Sequence, residues 1–263
     1  MRAINFVRVM LHLLKGLSIC AFLFPFANAS QRARYNQKWS AGLLTILRVN
    51  IEMQRSAGVD IEASGLVVAN HVSWLDIFII NTVSPCRFVA KADVRDWPVI
   101  GWLCDKGGTI FIARGKQREV RRVYQGLVDG LKDNERIAFF PEGTTAKQGA
   151  LLPFHASLFE AAIEAQRPVQ PCALRYVDSH GNLHHAADFV GDMSFVESVL
   201  TIIRSGSMTA QLIVLPAIES EGEHRRELAT ASRDSIATTL GYMEQSPVSA
   251  APISSVETQL VDA

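Results

Sequence analysis

The chain has 263 residues, 48% of them apolar and 20% charged, and its 26 basic side chains balance 26 acidic ones. That length accommodates one large domain or two small ones with a sizeable core, and the composition excludes a disordered chain. Zero net charge provides no global field for nucleic acid, so no nucleic-acid partner is expected.

The charge is unevenly spread. Through residue 58 there are eight basic side chains (Arg2, Arg8, Lys15, Arg32, Arg34, Lys38, Arg48, Arg55) against one acid, Glu52. A basic, apolar-rich N-terminus suits an anionic membrane surface. Residues 4–29, "INFVRVMLHLLKGLSICAFLFPFANA", are strongly apolar but carry Arg8, His12 and Lys15. The uninterrupted stretch 16–27 is too short to span a bilayer comfortably. A basic start, an apolar centre and "ANA" before Ser30 also fit a cleaved signal peptide, but the apolar character already begins at Ile4 and the basic residues are scattered. The favoured reading is a helix seated in, or obliquely through, the membrane interface. "YNQKWSAGLLTILRVNIEMQ" (35–54) continues at helical spacing, so residues 1–58 are expected to form an N-terminal membrane-associated helical segment.

From Leu66 the texture changes to short apolar runs bounded by Gly, Pro, Asn or charge: "GLVVAN", "CRFVAK", "GTIFIAR", "RIAFFPEG", "VQPCALRYV" and "TAQLIVLPAI". Such runs are what strands buried on both faces look like. Between them, residues 116–133 place Val120, Val123, Leu127 and Leu131 at helical spacing, and residues 156–166 follow the same logic. Strands alternating with helices imply an α/β domain, a mostly parallel mixed sheet flanked by helices, expected over residues 59–243. "RYVDSHGNLHHAADFVGD" (175–192) reads as two edge strands joined near Gly181. Adjacent His184 and His185 on a strand would point to opposite faces, which argues against a metal site with Asp188. A helix from near His224 to Tyr242 closes the domain, and residues 244–263 are expected to be a disordered tail. Four cysteines (Cys20, Cys86, Cys104, Cys172) form no C-x-x-C pair, which points to buried thiols in a reducing compartment.

Three strand ends carry candidate chemistry. In "VVANHVSWLD", His71 emerges at the C-terminal end of a buried strand, the edge where α/β sheets keep their sites. On one continuous helix, His71 and Asp76 would stand about 140° apart. They meet only if His71 lies in the turn and Asp76 in the first helical turn, reaching back; the carboxylate would then fix the imidazole tautomer and leave the other nitrogen free to take a proton. The alternative is that Ser73 and Asp76 form a capping box and His71 has no task. "FFPEGTT" supplies Glu142, a glycine able to adopt positive φ at Gly143, and the hydroxyls of Thr144 and Thr145; loop N–H groups there can converge on an anion, or the segment is a plain β-turn. "GGTIFIAR" leads to Arg114, placed for bidentate phosphate contact or for nothing more than a surface.

Taken together and in this order, the stretches resemble the lysophospholipid acyltransferase family, best known for the 1-acyl-glycerol-3-phosphate acyltransferases. The resemblance rests on "NHVSWLD" (70–76), "GGTIFIAR" (107–114), "FPEGTT" (140–145) and "RPVQPCAL" (167–174), and covers about residues 35–240. It implies a glycerolphosphate acyltransferase-like fold, His71 as catalytic base with Asp76 as its partner, and Arg114, Glu142, Gly143 and Thr144 as binders of the acceptor. Lys91 in the connecting segment is carried over in the same way. Two departures, Ala113 where the family often has Asp and "TAKQG" after the third motif, loosen the choice of head group.

The resemblance further implies transfer of a fatty acyl group from acyl-CoA or acyl-ACP to the sn-2 hydroxyl of 1-acylglycerol 3-phosphate, with no cofactor or metal, on the cytoplasmic face of the inner or plasma membrane. An acceptor such as a lyso-ornithine lipid or another lysophospholipid keeps the same chemistry. A lipid ester or thioester hydrolase and a non-catalytic membrane module are the readings from other classes. No G-x-S-x-G elbow occurs, so a covalent acyl-enzyme is not expected.

Overall fold

The computed structural model describes residues 2–112 and 117–242. The apolar runs form β1 (Val49–Arg55), β2 (Gly65–Ala69), β3 (Arg87–Lys91), β4 (Ile110–Ile112), β5 (Arg136–Phe139), β6 (Val169–Val177) and β7 (Met208–Val214). They make one sheet in the order β1-β7-β6-β2-β5-β3-β4. Every neighbouring pair is parallel except β6 and β7, so the sheet is mixed and mostly parallel, as expected. The helices are α1 (Arg2–Ser18), α2 (Ala29–Leu47), α3 (Leu75–Val83), α4 (Ile100–Lys106), α5 (Gln117–Lys132), α6 (Glu160–Ala165), α7 (Phe195–Ser205) and α8 (Arg225–Leu240).

β2 is central and buried throughout. Its Val67 and Ala69 pack with α2, α3 and α7, while Leu66 and Val68 pack with α5, α6 and α8. Both faces are covered, which is why "GLVVA" shows no alternation. α7 was not anticipated, yet it opens on a complete capping box in which Ser194 and Glu197 satisfy each other's backbone N–H.

Two expectations are corrected. Residues 35–54 are not one helix: α2 ends at Arg48, whose φ of 60° stops it, and Val49–Arg55 pairs in parallel with β7. "VNIE" kept a helix-compatible phase, but a β-branched start after a left-handed residue at the free edge of β7 favours the strand. The sheet therefore starts before residue 59. Nor does the 175–192 segment form two edge strands, because β6 already pairs with β2 on one side and β7 on the other. After an Asp178 turn the returning chain makes a single bridge, Val177 to Leu183, then a short 3-10 turn His185–Ala187. His185 bonds Asp188 there (Nδ1 to Oδ2, 2.8 Å). The tail from residue 244 lies outside the described residues.

The N-terminus folds as a helical hairpin. α1 runs on through a π turn and a 3-10 turn to Phe26; by length and composition the stretch Ile4–Phe26 is sufficient to cross a membrane, longer than the sequence break at Lys15 implied. α2 begins behind a capping box of Asn28 and Gln31. His12 and Trp39 lock the two helices by exchanging side-chain to backbone bonds of 2.8 and 2.9 Å. Gly16 and Gly42 permit this approach, since a Cβ on either would fall within 2.7 Å of the opposite ring. Ile4, Val7, Leu11 and Leu14 form one exposed apolar stripe on α1, continued by Phe22 and Phe26. α2 then buries Leu43, Leu44 and Leu47 against Leu75 and Ile79 of α3, the helix that carries Asp76.

Candidate active site

β2 ends on Asn70, whose side chain bonds both the N–H and the C=O of Leu174 at 2.8 Å. That clamp ties the strand end to β6 and starts the turn from which His71 projects. α3 begins at Leu75, so Asp76 stands in its first turn with the carboxylate reaching back. Asp76 Oδ2 accepts from His71 Nδ1 (2.8 Å), Val72 N–H (2.8 Å) and Ser73 N–H (2.9 Å). The hydroxyl half of the expected capping box is not formed: Ser73 Oγ is buried without a partner. The carboxylate half is formed, and the same oxygen also holds the imidazole. With Oδ2 taking two backbone N–H groups it can only accept, so Nδ1 bears the proton and Nε2 the lone pair. Asp76 is fully buried while the His71 side chain keeps 18% exposure.

The "FPEGTT" loop fixes the rest of His71. The imidazole stacks on Phe140 with centroids 3.9 Å apart and planes 8° from parallel. His71 N–H donates to Glu142 Oε1 (2.7 Å), and His71 C=O accepts from Ala146 N–H (2.7 Å). Glu142 also accepts from Leu152 N–H through Oε2 (2.9 Å). Its burial pushes the carboxyl pKa up to about 7, against the opposing pull of the His71 and Leu152 N–H groups. Gly143 has φ of 68°, and a Cβ there would meet the His155 ring at 3.3 Å. Thr145 Oγ1 donates to Phe189 C=O, and Phe189 N–H in turn donates to Val72 C=O, so the 186–190 segment closes the other flank of the turn.

The structure thus brings His71, Asp76 and Glu142 together. Gly143 and Thr144 lie exposed on the adjoining loop. Lys91 is exposed at the end of β3, on the same sheet edge but with β5 between it and β2. Arg114 lies outside the described residues. Two contributors were missed. Phe140 could have been suspected as the last aromatic of "AFF" before the proline. Tyr176 is wholly buried on β6, and its hydroxyl donates to Asp76 Oδ1 at 2.5 Å. A tyrosine near the end of a strand buried on both faces needs a partner for its O–H, and that was the available signal.

Chemically, the arrangement offers an imidazole lone pair at a sheet edge, backed by a buried carboxylate, with one loop clamping the histidine backbone. Among the described residues no cluster of three or more metal-ligand side chains occurs.

A family model for the Acyltransferase domain matches residues 48–175. A lyso-ornithine lipid O-acyltransferase of Pseudomonas aeruginosa is 35% identical over 231 residues, covering 86% of this chain and 88% of that one. A 1-acyl-sn-glycerol-3-phosphate acyltransferase of Neisseria meningitidis is 35% identical over 196 residues, 74% and 76% of the two chains. The solved structure of the 1-acyl-sn-glycerophosphate acyltransferase PlsC of Thermotoga maritima has the same fold, with a TM-score of 0.66 over 92% of this chain and 97% of that one at 18% identity.

Proposed function

Since the chain belongs to the lysophospholipid acyltransferase family, we propose that His71 is its general base, moving an acyl group from a thioester to a lysolipid hydroxyl. The observation that carries this reading is the 2.8 Å contact of His71 Nδ1 with buried Asp76, which leaves Nε2 as the open ring atom. The acceptor O–H gives its proton to Nε2 as its oxygen attacks the thioester carbon. The tetrahedral intermediate collapses, the C–S bond breaks, and the departing thiolate takes the proton back from His71. The products are an ester and a thiol. Asp76 stabilises the imidazolium that exists between the two proton transfers.

The donor is acyl-CoA or acyl-ACP, and the acceptor taken first is 1-acylglycerol 3-phosphate, with Arg114, Glu142, Gly143, Thr144 and Lys91 as its binding residues. Glu142 contributes by holding the loop, since both of its oxygens are engaged with backbone N–H groups. A second acceptor, a lyso-ornithine lipid, has its own support. The relative matched over 88% of its length bears that name. The exposed stripe of α1 with Phe22 and Phe26 favours seating at a membrane surface, on the cytoplasmic side where acyl thioesters are found.

Purified protein offered a panel of lysolipids with each donor tests the whole reading. Acylation of lysophosphatidate supports the first acceptor; acylation of lyso-ornithine lipid alone selects the second. Release of free fatty acid without acylated product would overturn transfer in favour of hydrolysis, and full activity in His71→Ala would remove the base.

A further inference from the structure

Asp76 receives more donors than a histidine partner requires. Three meet Oδ2 from the turn, and the fourth, the Tyr176 hydroxyl, meets Oδ1 from the sheet. The phenol arrives from a fixed base. Tyr176 N–H donates to Gln148 Oε1 (2.6 Å), and its C=O accepts from His184 N–H (2.8 Å). The side chain reaches from β6 to the first turn of α3 within the buried core that also holds Leu174, Leu75 and Ile79. Burial, and then the Asp76 charge beside it, hold the phenol's ionisation well above its usual range, so it is a donor at every working pH.

We propose that Tyr176 is a positioning residue for acyl transfer, fixing the rotation of the Asp76 carboxylate and drawing off part of its charge. This inference rests on the reading of His71 as base. Turning about the Cβ–Cγ bond would carry Oδ2 away from its three donors in the turn, and the phenol at Oδ1 resists the same turn from the sheet side. Pinned at both oxygens, the carboxylate keeps Oδ2 in line with Nδ1. The phenol also moderates the carboxylate: each donor it carries weakens its pull on the imidazolium proton. The balance matters because His71 must accept a proton from the acceptor and release it to the leaving thiolate.

Tyr176→Phe keeps the ring and removes only the hydroxyl. The expected result is a roughly tenfold lower kcat with KM little changed. The acid limb of the kcat/KM profile should move up, because a carboxylate that has lost a donor pulls harder on the imidazolium; Glu142, bonded to the same turn, keeps its own contacts in this variant. Incorporating 3-fluorotyrosine at 176, a stronger donor of nearly the same shape, should move that limb down. In an Asp76→Asn background, Tyr176→Phe should no longer move the acid limb and should cost less than in the parent, since the carboxylate charge through which the phenol acts is gone. An unmoved acid limb in both variants, or losses that multiply fully in the double mutant, would reduce Tyr176 to packing and overturn the proposal. His71→Ala run alongside separates the two failures. Activity retained there removes the base and this inference with it. An inactive His71→Ala beside an unmoved Tyr176→Phe profile removes the inference alone.

Discussion

Replacing Asp76 by Asn isolates charge from geometry. Val72 and Ser73 N–H groups both point at Oδ2, so the amide oxygen must occupy that position and still accepts from His71 Nδ1. The amide NH2 then faces Tyr176, whose hydroxyl can turn to accept. Ser73 Oγ, buried without a partner beside Tyr176, can accept the hydrogen bond that the phenol then turns to donate. What disappears is the negative charge beside the imidazolium. With charge centres ~4 Å apart and an effective dielectric of ~20, that interaction is worth ~4 kcal/mol. A barrier raised by that amount corresponds to a kcat about a thousandfold lower. The thiol released from acyl-CoA, followed by a chromogenic disulfide, measures it directly, and thermal unfolding checks the fold. A variant that folds normally and transfers acyl groups within tenfold of the parent rate would refute the claim that the buried carboxylate supports catalysis by charge.

Glu142→Gln has a different logic. One end of the amide can accept from either His71 N–H or Leu152 N–H, but its NH2 must then confront the other donor. The clash costs about 1–3 kcal/mol, so kcat should fall roughly tenfold or more, in the same thiol assay, with the acceptor KM changing less. The same residue sets a pH dependence of stability. Its folded pKa, about 7, lies above its unfolded value, so its contribution to stability is fully present below the unfolded pKa and is lost as pH rises through 7. The parent should lose up to ~3 kcal/mol from this group between pH 5 and 8; denaturant titrations at the two pH values should show Glu142→Gln with a flatter dependence. Phe22→Ser and Phe26→Ser remove side chains that are 72% and 88% exposed, so folding should be unaffected. If the hairpin seats in lipid, each should weaken co-sedimentation with vesicles by roughly tenfold, and unchanged partitioning would oppose that seating.

How far the sequence could be read depended on how local each cause was. "GLVVA" announces a strand because burial on both faces leaves no polar position to confuse it, and "VQPCALRYV" does so despite Gln170 and Arg175 because its other positions are almost all apolar and buried. His71 and Asp76 were legible because their contact is settled within one turn. Tyr176 was not, because its partner lies 100 residues away and only the β2–β6 pairing brings them together. The same holds for the tie of His71 N–H to Glu142, 71 residues on. β1 was obscured because a strand at a sheet edge has little buried pattern of its own: beyond Val49 its residues are half-buried or exposed. The Ser73 capping reading held by half: Asp76 takes the Ser73 N–H, but Asp76 N–H goes to the Ser73 carbonyl and leaves the Ser73 hydroxyl without it.

α2 passes into β1 with only Arg48 between them, and its inner face shares a core with α3. There is no hinge in that junction, so a hairpin resting on a bilayer would set the altitude of His71 above it as a constant of the fold. A catalytic unit on a flexible tether could reach hydroxyls at many depths. This one would wait at a single level, and the lipid would have to make the vertical journey. Selection among acceptors would then depend partly on how far a hydroxyl can rise before its own tail is drawn out of the membrane, a ruler built from one residue of left-handed backbone.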